Sequence, residues 1–126
     1  MKRFWISVAI LCATFALALV NGWTLRQLTG GMTLRLEQAQ HLAEQQQWEQ
    51  ADRLTQQAKD LWDRGETYLY IVLRHTEADA VAQQFREVLE LLQWKEEAEY
   101  TSANAKLVED IRLLAEMEAF TLKNLL

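Results

Sequence analysis

The chain has 126 residues, half of them hydrophobic, with 18 acidic and 13 basic side chains, one cysteine and no proline. The net charge of −5 argues against nucleic acid as a partner, because phosphate contacts need clustered Lys and Arg. A single cysteine rules out an internal disulfide and a cysteine-based zinc site.

The first element is an apolar leader. Lys2 and Arg3 precede the uncharged run from Phe4 to Val20, which Asn21, Gly22 and Trp23 close. The run is longer than the usual core of a secretory signal and reaches the length needed to span a bilayer, roughly 17–25 residues. Trp5 and Trp23 stand near its ends, about 27 Å apart along a helix, where indoles favour the two membrane interfaces. Residues 1–23 are therefore read as a membrane anchor with Lys2, Arg3, Trp5 and Trp23 at its interfaces and residues 4–20 in lipid. Cleavage after Ala16-Leu17-Ala18 is the competing reading, and it would discard Trp5. Cys12 follows Leu11 rather than a small residue, so a lipoprotein signal does not fit. Lys2 and Arg3 before the span face Arg26 and Arg35 beyond it. The positive-inside rule thus leans toward a single pass through the cytoplasmic membrane with the N-terminus in the cytoplasm. Residues 24–126 become an extracytoplasmic domain, with Lys2 and Arg3 set aside carrying −7 from 11 basic and 18 acidic residues.

That domain reads as all-α. No glycine follows Gly65, and the sequence is rich in strong helix formers. Leu25, Leu28, Met32, Leu36, Ala39 and Leu42 keep a helical 3–4 spacing. The phase holds across Gly30-Gly31, which is either a soft point in a continuing helix or an ordinary linker. Glu44 to Gln47 form a polar connection. A second stripe of Trp48, Ala51, Leu54, Thr55, Ala58, Leu61 and Trp62 ends at Gly65, a candidate C-cap. Its Glu49/Arg53 and Asp60/Arg64 have the favourable acid-first spacing for ion pairs. Trp48, Ala51, Thr55 and Ala58 together resemble the second half of a tetratricopeptide-like hairpin, in a single copy rather than a repeat array.

Tyr68 to Leu73, an aromatic and β-branched run, reads as a buried helical turn, since a lone strand would have no partner. Thr76-Glu77-Ala78-Asp79 is expected to cap the next helix, whose stripe is Val81, Phe85, Val88, Leu89 and Leu92. Glu96 to Glu99 form an acidic corner or first turn before Tyr100, Leu107, Val108, Ile111, Leu114, Met117 and Leu122. The expected architecture is one N-terminal transmembrane helix followed by a small antiparallel bundle of about four helices.

Catalytic sets are not visible. The only serines are Ser7, inside the leader, and Ser102, and the only cysteine is in the leader too. No cofactor is implied, and the chain is expected not to be an enzyme. One helix face carries Glu37, His41 and Glu44, and His75 with Asp79 offers two further donors. Chance neighbours on a Gln- and Glu-rich solvated face explain the first group, and a histidine favoured by a helix end explains His75. The tryptophans read as interface anchors (Trp5, Trp23), core (Trp48, Trp62), and either core or an exposed anchor (Trp94).

The order of Leu36-Glu37-Gln38-Ala39, Gln46-Gln47-Trp48-Glu49-Gln50-Ala51, Ala58-Lys59-Asp60-Leu61-Trp62, Leu73-Arg74-His75-Thr76-Glu77-Ala78-Asp79 and Leu122-Lys123-Asn124-Leu125-Leu126 resembles one bacterial family. That family, domain of unknown function 4363, comprises short membrane-anchored helical proteins found mostly in Gram-positive endospore formers. The terminal Leu125-Leu126 departs from the more aromatic or β-branched ending expected of it. The resemblance covers nearly the whole chain and implies an exported, tethered helical domain, working with a neighbouring integral membrane protein; it brings no catalytic residues. The function expected is an interaction or accessory module that engages a membrane protein or its own copies. The alternatives are a small-ligand or metal-responsive sensor and a cleaved secreted helical protein.

Overall fold

The computed structural model describes residues 1–65 and 75–125. They form four helices: α1 Lys2–Glu44, α2 Trp48–Arg64, α3 His75–Trp94 and α4 Glu97–Leu125. No strand occurs among the described residues. The run Tyr68 to Leu73, expected to be a helical turn, lies outside them.

The apolar stripes become the core. Met32, Leu36 and Ala39 of α1, Ala51, Ala58 and Trp62 of α2, Val81, Phe85 and Val88 of α3, and Leu107, Ile111 and Leu114 of α4 are buried in one cluster. The backbones pack in the cycle α1, α2, α3, α4, so α1 and α3 lie on one diagonal, and across the other Trp48 of α2 meets Tyr100 of α4. Neighbours run antiparallel. A Cβ placed on Gly31 would lie 3.4 Å from Leu61 Cδ1, which sets the start of the α1 bundle segment against the end of α2. Gln46 Nε2 donates to Glu97 Oε2 at 3.3 Å, and Asn104 Nδ2 donates to the Leu36 carbonyl at 3.0 Å, so α4 runs back along α1.

The bundle closes on itself, so the α1–α2 hairpin is a single unit and not the start of a solenoid. Small residues explain its intimacy. Ala39, Ala43, Ala51, Thr55 and Ala58 are all buried, and none is bulky enough to hold the two backbones apart.

The Gly30-Gly31 question resolves to a continuous helix. Side chains reinforce its backbone there: Thr29 Oγ1 donates to Leu25 O at 2.8 Å, Thr33 Oγ1 to Gly30 O at 3.2 Å and Arg35 Nη1 to Gly31 O at 3.0 Å.

The two described turns share one device that the sequence did not announce. After α1, Gln46 takes φ 65° and the Gln47 amide reaches Leu42 O at 2.9 Å; after α3, Lys95 takes φ 55° and the Glu96 amide reaches Leu91 O at 3.3 Å. These are Schellman-type endings with ordinary residues where glycine is usual. Gly65 does follow α2 as its C-cap, but at φ −87° its glycine freedom is unused. The Thr76 cap is displaced as well, because α3 already begins at His75. Glu97 and Glu99 do occupy the first turn of α4. On α2 the close pair is Lys59 with Asp63 at 2.9 Å, whereas Glu49/Arg53 and Asp60/Arg64 form no ion pair.

Candidate functional site: an apolar span continuous with a polar-seamed bundle

Among the described residues, α1 is the one helix long and apolar enough to cross a membrane. Its first half has no packing partner within the described chain: Phe4, Ile6, Ile10, Leu11, Phe15, Leu17, Leu19 and Val20 are all exposed. The hydroxyls in this stretch are satisfied inside the helix, as an apolar medium requires. Ser7 donates to Arg3 O at 2.9 Å, Thr14 to Ile10 O at 2.8 Å and Thr24 to Val20 O at 2.9 Å. Lys2 and Arg3 are exposed at the helix start, and Cys12 is a free, exposed thiol. Trp5 and Trp23 are 70% and 63% exposed. Eighteen residues make five turns, so both indoles emerge from the same face. Leu25 is already buried in the core, two residues beyond Trp23. The bundle therefore begins where the apolar segment ends, on the same helix.

The candidate metal donors are not brought together. Glu37 pairs across to Arg112 on α4. His41 and Glu44 are exposed neighbours, Nδ1 to Oε2 at 3.7 Å. Asp79 is on α3, beside Lys59, Trp62 and Asp63, and α3 does not touch α1. His75 opens α3, and its side chain lies outside the described ones. Among the described residues no group of three His, Cys, Asp or Glu is placed to hold a metal ion.

The tryptophans of the bundle divide three ways. Trp62 is buried against Phe85, ring centroids 6.2 Å apart. Trp48 is half-buried, edge-on to Tyr100 at 6.3 Å, with its indole N–H donating to Gln46 Oε1 at 3.3 Å. Trp94 is 71% exposed at the end of α3, which settles it as a surface residue.

Of the polar interior, the stripes included Thr55 and Tyr100 but not Asn104. Thr55, Tyr100 and Asn104 are fully buried. Asn104 Nδ2 donates to Leu36 O and to Gln40 Oε1 at 3.1 Å, while its Oδ1 accepts from no described group. Burial pushes the Tyr100 phenol well above its ordinary range; a hydrogen bond with the Thr55 hydroxyl offsets part of this and the Glu44 charge adds to it. Asn104 follows Tyr100 by one helical turn, the signal that would have placed both on the core face. On the surface, a groove of about 630 Å³ lies between α2 and α3 and is lined by Trp48, Arg53, Arg86 and Leu89 among others.

No curated protein and no solved structure matches the chain. The family model described as Domain of unknown function (DUF4363) matches residues 22–125, that is, the whole bundle from the end of the apolar segment onward, and the chain belongs to that family.

Proposed function

We propose that this protein is a non-enzymatic accessory module, tethered by residues 4–20 to the cytoplasmic membrane in a single pass, with Lys2 and Arg3 in the cytoplasm and the bundle at the outer face. Its partner is an integral membrane protein or a second copy of the chain. The observation that carries this reading is the continuity of α1, one helix that serves as both apolar span and first bundle helix. A flexible tether would let a domain roam, whereas an unbroken helix fixes its height and rotation relative to the bilayer. Such fixed placement suits a subunit that must meet a partner in the same membrane. The test is a mild-detergent pull-down of the tagged full-length chain from its native membrane, with mass spectrometry of the eluate and of the N-terminal peptide. A stoichiometric membrane protein, or a second copy, recovered with residues 1–23 intact is the expected result. An isolated monomer, or a chain cut near Ala18, would overturn it.

A further inference from the structure

α4 is longer than the bundle it completes. Its start stands beside the end of α1, where Gln46 Nε2 donates to Glu97 Oε2, and the bond from Asn104 Nδ2 to Gln40 Oε1 keeps the same register. The part of α1 that enters the core, Leu25 to Glu44, is 20 residues long, whereas α4 has 29. At 1.5 Å per residue, the last turns of α4 pass the start of the bundle by about 13 Å. Followed at that register, Phe120 comes level with Trp23 or Thr24, and Leu125 with Ala18 or Leu19. Exposure along α1 agrees. Ala18 and Gly22 are half-buried and in phase with the buried Leu25 and Thr29, whereas Ala9, Ala13 and Ala16 are exposed.

The composition of α4 changes at the same level. Glu97 to Glu118 include eight charged residues, but Ala119 to Leu125 include only Lys123 and no acid. Just before that change α4 exposes two large apolar residues one turn apart, Leu113 at 46% and Met117 at 53%. By the same register Met117 stands about 5 Å above the level of Trp23, within the headgroup layer, and Leu113 one turn further out. The opposite end of the bundle is acidic and exposed, with Glu44, Glu96, Glu97 and Glu99 around its two turns. The charge that anionic lipid repels therefore points away from the bilayer.

We propose that the C-terminal turns of α4, from Met117 to Leu125, form a second membrane site, entering the boundary between headgroups and acyl chains of the outer leaflet beside α1. The occupant is lipid, because these turns descend along a helix half that itself lies in lipid. Apolar residues of an interfacial helix gain stability there at depths of about 5–10 Å. The site holds only if residues 4–20 span the membrane as proposed above. It adds what one span lacks: a lone helix can tilt, and a second contact beside it restrains the tilt.

Depth-dependent fluorescence quenching of the full-length chain in phosphatidylcholine–phosphatidylglycerol vesicles tests it. An NBD label on the native Cys12, the only cysteine, reports the span. In a Cys12→Ser background, the same label at Phe120→Cys or Leu125→Cys reports the end of α4, and at Gln50→Cys the exposed surface of α2. Positions 120 and 125 are expected to lose at least about half their emission to lipids with a nitroxide near the headgroup, and less to a nitroxide near the chain end. Position 12 should show the reverse order, and position 50 no quenching. Quenching at position 12 with none at 120 or 125 would overturn the proposal and leave the anchor standing. No quenching at position 12 would overturn the membrane reading, and this site with it. Disulfide-linked pairs of Leu125→Cys chains, without lipid quenching, would make a second copy the occupant and overturn it too.

Discussion

Tyr100 concentrates the cost of the polar interior in one atom. Its ring fills core space against Trp48, and its buried hydroxyl has only the Thr55 hydroxyl as a partner. Tyr100→Phe removes that hydrogen bond together with the cost of burying the phenol, so the stability of the full chain in detergent should change by less than about 1 kcal/mol, measured by urea unfolding. The same residue predicts an alkaline limit. The fold keeps the phenol protonated beyond its ordinary value of 10.0, so the unfolded chain loses that proton first as pH rises. Stability is therefore full below about pH 10 and declines above it, and the decline should be shallower in Tyr100→Phe. Lys95 is a second residue held against its preference. At φ 55° its Cβ opposes the backbone, and no interaction of its side chain with the described residues compensates. Lys95→Gly is expected to raise the thermal midpoint, by about 0.5–1 kcal/mol in stability. Gln46 has the same backbone strain but also ties Trp48 and Glu97, so glycine there should gain less.

Among the elements, those with a sustained 3–4 stripe were legible in the sequence. The core positions of all four helices fall where Leu25 to Leu42, Trp48 to Trp62, Val81 to Leu92 and Leu107 to Leu114 placed them, whereas Met117, expected on the last stripe, is exposed. Burying one apolar face drives folding more than any other effect, and spacing records that face directly. Helix ends were harder to read. Propensity pointed to Gly65, which does cap α2, and to Thr76, which lies inside α3, whereas the turns after α1 and α3 bend at Gln46 and Lys95, where tertiary packing overrides local preference. Asn104 was hidden for a related reason: hydrophobic periodicity cannot see an Asn that shares the core phase. The glycine pair in α1 separates two further effects. A Cβ at Gly30 meets nothing within 4 Å, so Gly30→Ala should stabilise the chain by about 0.5–1 kcal/mol through helix propensity alone. At Gly31 the added carbon would press on Arg35 Nη1 at 3.3 Å and Leu61 Cδ1 at 3.4 Å. Gly31→Ala is expected to gain markedly less, near zero, and a gain equal to that of Gly30→Ala would show that the α1–α2 seam is looser than its geometry implies.

For the whole molecule, the decisive property is that α1 belongs to two bodies at once. Its exposed apolar half contributes nothing to the core, and its buried half begins at Leu25. The bundle's cohesion therefore should not depend on the apolar half. A chain that starts at Thr24 retains every buried core residue of the described bundle and the inter-helix bonds of Asn104, Gln46 and Arg112. It is expected to be soluble without detergent and to show helical circular dichroism with a single cooperative melt. Its midpoint should fall slightly below that of the full chain, because the first turn of the shortened α1 now exposes unpaired amides and can fray. The size of that difference measures how much order the apolar half imparts to the bundle. A drop of only a few degrees would mean that the two halves of α1 are energetically separate and merely share an axis. A truncated chain that is unfolded or aggregated would mean instead that the apolar half nucleates the bundle, and α1 could not be divided at the point where its exposure changes.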